Sequence, residues 1–540
     1  MTTPSRRPFM ATLSISSPQV DVCIPHSHRN DLALIFGLPP EILATVFRHF
    51  VEEWQSHPAK GAPTCVVFTH VCRHWRQVAL KSPTLWTYII YTPPRWLGVM
   101  LERSKSASLF VAYDVTVLLR DCLEQILSQL PRIRVLRLRT INSPDIDRTI
   151  HLLSSQPAPL LEIFEFSNTF FSEPTTKPIS NTVFQGQSPR LRSVELTSSN
   201  FNWTAHIFSG LRILSLRGTG NTSFPTLPQL LQALRRMPAL EQLTLERLHI
   251  NSQEKNHLGK VPLAQLKSIA LGSEMIQTAA SLFAQLVIPV DVKIALLLFR
   301  IEGLRGFPEL FSAMGMRPDG SGSVIRSIRC IRHSRHTFCI QLSTSMMINP
   351  ELFWNPSDND DIRLSIQFTY RESAEVEPSI IFDICQIVRQ TGYRIQKFSY
   401  GSEFDLPGRD FWRAGSANLL ELEVIHVNST FIGGLIAALE IIEGKQNSDI
   451  AYPSLRVLEL EKVDFEEDEP EELRDVMKMR AKHGVGIHVL QIAECRNLKA
   501  NQVQGFGEVV ATVDWDEHEE QLEDDNSVCS SCADDAGDDD

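Results

Sequence analysis

The sequence predicts an α/β fold: a short N-terminal helical unit, then a right-handed solenoid of stacked repeats with parallel strands on a concave face and helices outside. Three observations lead there. The chain has 540 residues, 43% apolar and 21% charged. These are ordinary globular proportions, at a length that calls for several domains or one extended array. A six-residue pattern, apolar-x-x-apolar-x-apolar, recurs from residue 133 onward. Several of the intervals hold one amphipathic helical segment, so each repeat reads as helix plus short strand and buries its neighbour's apolar edge.

In chain order, residues 1–34 carry Arg6, Arg7 and several Ser, with no acid before residue 21, and read as an unstructured arm. Residues 35–90 form the helical unit. From Pro40 to about Trp54, Ile42, Leu43, Val46, Phe47, Phe50, Val51 and Trp54 make one wide apolar helix face. Pro58, Gly61 and Pro63 break it. A second helix carries Phe68, Val71, Cys72, Trp75, Val78 and Ala79, and Pro83 stops it. Two short helices bury little surface alone, so this unit is expected to lean on a partner or on the chain that follows.

Residues 91–132 read as a connecting or capping segment, and 133–500 as the repeats. The pattern appears at Ile133/Leu136/Leu138, Leu161/Phe164/Phe166, Leu191/Val194/Leu196, Leu211/Leu214/Leu216, Leu240/Leu243/Leu245 and Leu266/Ile269/Leu271. After an irregular middle, about 287–394, it returns at Ile395/Phe398/Tyr400, Leu419/Leu422/Val424, Leu455/Leu458/Leu460 and Ile487/Leu490/Ile492. Helical segments are expected over Leu227–Leu234, Ile380–Val388, Leu435–Ile442 and Leu473–Lys482. Residues 501–540 read as an acidic, disordered tail. By strand alternation, the positions between the paired apolar residues face the concavity. Arg137, Arg139 and Arg217 mark its early end, interrupted by Glu165, Glu195 and Glu246, so that the polarity is partial; Glu423, Glu459 and Glu461 mark its late end. Opposite signs at two ends would orient a dipolar partner, which makes the three arginines and the three late glutamates the candidate substrate contacts.

The stretch LPPEILATVFRHF (Leu38 to Phe50), followed by THVCRHWRQVALKSPTLW (Thr69 to Trp86), resembles an F-box, in the form common in mushroom-type fungi. Leu38, Pro39, Glu41, Ile42, Leu43 and Phe47 fit its first half. Val71, Cys72, Arg73, Trp75, Val78, Pro83, Leu85 and Trp86 fit its second. The remainder is similar to the leucine-rich-repeat region that often follows. In such repeats an Asn or Cys stands three positions after the last strand apolar residue; Cys495 fits, whereas Thr169, Ser199, Thr219, Leu248 and Val463 do not. The resemblance implies docking on the Skp adaptor, and through it on a cullin, by Leu38, Pro39, Pro40, Glu41, Ile42, Leu43, Phe47, Val71, Cys72 and Trp75, while the repeats capture a protein substrate for ubiquitination. The alternative is a repeat scaffold that never joins a ligase. Neither reading makes the chain an enzyme, and neither calls for a cofactor.

Composition narrows the rest. Residues 514–540 hold 13 of the 64 acids and no Lys or Arg, leaving 52 basic against 51 acidic side chains elsewhere. A neutral body lacks the basic field that drives phosphate binding, so nucleic acid is disfavoured as a partner. Ten scattered cysteines fit a reducing compartment, cytoplasmic or nuclear. The sequons at Asn202, Asn221 and Asn428 then read as chance matches, and the apolar runs at 287–299 and 431–442 are short of a membrane span. His70 and His74 share zinc-pair spacing, but Val71 stands where a metalloprotease helix has Glu. Cys529-Ser-Ser-Cys532 lacks a second ligand pair, so no metal is expected. Arg326, Arg329, Arg332 and Arg335, with His333 and His336, form a basic run that reads as an exposed edge of the middle region, the alternatives being a site for phosphate groups on a modified substrate or for the acidic tail.

Overall fold

A computed structural model describes residues 34–53, 63–115, 120–140, 143–168, 179, 181–199, 201–218, 226–246, 259–273, 276–301, 306–315, 324–334, 336–346, 361–370, 377–391, 393–402, 408–429, 431–441 and 450–517. Residues 1–33 of the expected arm, the tail beyond 517, Trp54, Cys529 and Cys532 lie outside these. The protein is mixed α/β, with a mostly parallel, 17-stranded sheet among the described residues. The chain divides into two compact units, Met1–Phe110 and Val111–Asp540.

In the first unit the helix Pro40–Glu53 buries Leu43, Phe47 and Val51, spaced one turn apart along a single stripe. The second expected helix is not continuous. Its first part is a 3-10 helix, Thr64–Thr69, and an α-helix begins only at Arg73 and runs to Lys81. Cys72 makes the break: its backbone is extended, and its Sγ accepts the Trp75 amide at 3.4 Å as an N-cap. A further 3-10 turn, Pro83–Trp86, follows, then β1 (Tyr88–Ile90) and the helix Pro94–Ser104. The unit therefore runs past residue 90. Met100 Sδ lies 3.8 Å from Cys65 Sγ, and the Arg103 guanidinium sits 4.4 Å from the Trp86 ring centroid. The short helices are covered in part by the chain that follows them, because Leu97 and Met100 complete their core.

The later strands are β2 (Leu109–Asp114), β3 (Ile133–Thr140), β4 (Ile163–Asn168), β5 (Ser193–Thr197), β6 (Ile213–Arg217), β7 (Gln242–Glu246), β8 (Val261–Pro262), β9 (Ser268–Ser273), β10 (Leu286–Val287), β11 (Lys293–Ile301), β12 (Ser327–Ser334), β13 (Thr337–Ser343), β14 (Ile362–Tyr370), β15 (Lys397–Ser402), β16 (Val424–Ser429), β17 (Val457–Glu461), β18 (Val489–Ala493) and β19 (Thr512–Trp515). From β3 to β7 and on to β9 and β11, each strand pairs in parallel with the next, while β8 and β10 form a separate parallel pair. Leu136, Phe164, Val194, Leu214, Leu243 and Ile269 lie in register and are all buried. Helices cover this apolar face. Phe411 and Trp412, on the helix Arg409–Ser416, lie 5.1 Å from Tyr400 and 5.8 Å from Phe398.

A recurring backbone contact sets the stacking. The carbonyl of the residue before one strand accepts two successive amides of the next: Glu162 from Arg192 and Ser193 at 2.9 and 3.0 Å, Arg192 from Arg212 and Ile213 at 2.8 and 3.0 Å, and Arg212 from Glu241 and Gln242 at 2.7 and 3.0 Å. At the other end of the strands Cys495 is buried, its thiol 3.6 Å from the Leu460 carbonyl. Ser199, set aside on sequence, is also buried, and its Oγ donates to the Thr197 carbonyl at 3.0 Å.

Two expectations are corrected. Among the described residues the middle holds the regular strands β11 to β14 and the helices Phe307–Ala313 and Glu377–Thr391, with the strands in a different order. β14 lies beside β11 in parallel, β13 runs antiparallel to both β14 and β12, and β12 continues in parallel to β15. These strands are buried on both faces, Ile294, Ala295 and Leu296 among them. Of the four, only β11 reads as a near-continuous apolar run; β14 alternates apolar and polar residues from Ile362 to Tyr370. The boundary drawn at residue 501 also moves: the helix Ala500–Gly507 and β19 continue the pattern, with Gln491 of β18 opposite Asp514.

Candidate functional site

Thirteen large apolar side chains are exposed among the described residues, and six of them fall between Ile35 and Leu80. Uncovered apolar surface is thus densest on the first unit. The helix Pro40–Glu53 has two apolar stripes. Leu43 and Phe47 point inward, where Phe47 stacks on Phe68 at 4.1 Å and tilts against Trp75 at 4.9 Å. Ile42 and Val46, one turn apart, are 50% and 46% exposed, and in the neighbouring segment Val67 and Val71 are 53% and 50% exposed.

The ten residues assigned to adaptor docking therefore divide. Pro39, Pro40, Glu41, Ile42 and Val71 are exposed and Leu38 half-exposed; Leu43 and Phe47 are core; Cys72 caps a helix and Trp75 is half-buried. Trp75 Nε1 has no hydrogen-bond partner among the described residues. Val46 and Val67 belong to the exposed set and were not singled out. The wide apolar face of the first helix already contained Val46, whereas Val67 is turned outward by a 3-10 segment that no periodicity announced.

On the second unit the sheet face opposite the apolar rows carries a register-aligned polar row. It runs from Arg137, Glu165 and Glu195 at one end to His426, Glu459 and Gln491 at the other. The expected partial separation of charge is weakened further, because opposite signs pair at both ends of the row. Arg137 Nε lies 2.8 Å from Glu165 Oε1, and Arg217 Nε lies 4.0 and 3.7 Å from Glu195 and Glu246. At the late end Lys397 Nζ meets Glu459 at 2.6 Å, and Glu461 takes His426 Nε2 at 3.1 Å and Lys462 Nζ at 3.9 Å. Arg139 is exposed. Burial raises the carboxyl pKa of Glu195, Arg217 opposes that, and Glu165 beside it adds to it. The His426 hydrogen bond lowers that of Glu461.

Glu423 is not in this row. It precedes β16, and His426 is the residue opposite Glu459. The Leu419/Leu422/Val424 assignment stands three residues too early, since Ile425 and Val427 are the residues opposite Leu458 and Leu460. Arg335 of the basic run lies outside the described residues; the rest is not a sheet edge, since β12 is flanked by β13 and β15 and Arg329 and Arg332 are buried, while Arg326 and His336 are exposed. Burial and the neighbouring Arg329 charge lower the pKa of His333. His70 and His74 fall on either side of the Cys72 break, so they do not share a helix. Among the described residues no group of His, Cys, Asp and Glu could hold a metal ion, and no helix is long and apolar enough to cross a membrane. No protein-family model matches the chain, and a comparison with curated proteins finds no match.

Proposed function

We propose that the chain is the substrate-recruiting subunit of a Skp–cullin–F-box ubiquitin ligase, acting in the cytoplasm or nucleus. The first unit docks on the Skp adaptor, and the second, a leucine-rich-repeat-like right-handed solenoid, holds a protein substrate. The observation that carries this reading is the outward apolar set Ile42, Val46, Val67 and Val71, in the segment that resembles an F-box. Burying one large apolar side chain contributes about 1.5–3 kcal/mol, so several together supply a docking energy that a small helical unit otherwise wastes on water. Recruitment then works by effective concentration, bringing substrate lysines near the charged enzyme.

The test is capture of purified Skp adaptor by the full chain. Replacing Ile42 and Val46 with Asp should abolish capture, and replacing Leu38 and Pro39 with Ala should weaken it at least about tenfold, each with unchanged circular dichroism. Undiminished capture by both variants would overturn the ligase reading and leave a scaffold in its place.

A further inference from the structure

We propose that an arginine cluster at the leading ends of β5 and β6, formed by Arg190, Arg192 and Arg212, binds an acidic polypeptide segment. The residues at the leading ends of the early strands lie beside their counterparts, because the carbonyl contacts described above lock the strands in step. This puts Arg134, Glu162, Arg192, Arg212, Glu241 and Lys267 in one row, about 4.8 Å apart.

Along most of that row opposite charges cancel. Arg134 holds Glu162 at 2.8 Å, and Glu241 is held by Lys267 at 2.6 Å and Arg212 at 3.3 Å. The cancellation fails at one place. Arg192 stands next to Arg212, with Arg190 two residues before it; all three are exposed, and among the described residues no carboxylate pairs with Arg190 or Arg192. Like charges on adjacent strands repel, and a fold that sets three exposed arginines at neighbouring backbone positions, with Arg212 alone paired, to Glu241, leaves a place for an anion. Planar guanidiniums take carboxylates in bidentate fashion.

A polypeptide fits better than a nucleic acid for two reasons. Ile213, next to Arg212, is 37% exposed and offers an apolar contact that a sugar-phosphate chain does not use. Glu162 and Glu241 flank the cluster and would repel a continuous run of phosphates, whereas a peptide can place uncharged residues opposite them. The inference uses only residues of the second unit and stands apart from the ligase reading.

The probe is a fluorescein-labelled peptide of repeating Glu-Leu-Glu-Ser, titrated with the full chain and followed by anisotropy. Saturable binding that weakens with salt is expected. Arg192→Glu with Arg212→Glu should weaken it about tenfold. Arg192→Glu alone, which breaks no ion pair, should weaken it about threefold, which separates lost binding from lost folding. Lys478→Glu with Lys482→Glu, the same charge change at exposed positions on another element, should have less than about a twofold effect. The proposal is overturned if the peptide does not bind, if the Lys478 and Lys482 variant weakens it equally, or if single-stranded RNA of equal charge binds more tightly and displaces it.

Discussion

Ile42 and Leu43 are neighbours in sequence and the same kind of residue, yet one is half-exposed and the other fully buried. Leu43→Ala should therefore cost about 2–5 kcal/mol in urea unfolding, while Ile42→Ala should stay within about 0.5 kcal/mol and show its effect only in adaptor capture. The wide apolar face was visible in the sequence. Which half of it turns inward was not, because that depends on the 3-10 segment carrying Phe68. A second residue-scale test is Gly415, where a Cβ would lie 2.7 Å from Tyr452 Oη. That hydroxyl is buried and donates to the Trp412 carbonyl at 2.6 Å, so Gly415→Ala should cost about 1–3 kcal/mol. Glu195 tests the sign of a raised carboxyl pKa. Such a group favours its protonated form in the fold, so it lowers stability once pH rises through the unfolded and folded values. Glu195→Gln should raise Tm at pH 7, and the difference should vanish below about pH 3, where both side chains are neutral.

Among the elements, the strand pattern placed β3 to β7, β9, β15, β17 and β18 where the structure has them, since each shows one clear apolar-x-x-apolar-x-apolar match. At β16 two matches overlap, Leu419/Leu422/Val424 and Leu422/Ile425/Val427. Only pairing with β17 decides between them, and pairing is not written in a single segment. The consequence for function was direct, since Glu423 was counted where His426 stands. The helix Glu469–Lys482 was found from its amphipathic spacing, but not the fate of Arg480, which is fully buried and donates to the Ala451 and Tyr452 carbonyls at 2.9 and 2.8 Å. β19 escaped notice because Asp514 and Asp516 made it look like tail. Ending the chain before Thr512 should lower Tm by a few degrees relative to a chain ending at Glu517, as β18 loses its pairing partner. Equal Tm values would mean that β19 adds nothing to the sheet.

For the whole molecule, composition and periodicity gave a mixed α/β protein with a helical front part, and two compact units are found. With a separate core in each, heat unfolding should not be two-state: the calorimetric enthalpy should exceed the van't Hoff enthalpy. The middle stayed hidden because β11 is a near-continuous apolar run, and because the order of these strands in the sheet departs from their order in the chain. That departure has a consequence for how such proteins change length. β13 runs backward between two strands, β14 and β12, that point the same way as β11 and β15. Ala295 of β11 and Ser399 of β15 also sit in one continuous row. Both borders of the reversed section thus present the same polarity and the same side-chain phase. A chain without that section would bring β11 against β15 with polarity and side-chain phase already matched, and a chain with two copies would meet the same matching ends, so the section could be lost or doubled without re-registering the strands on either side.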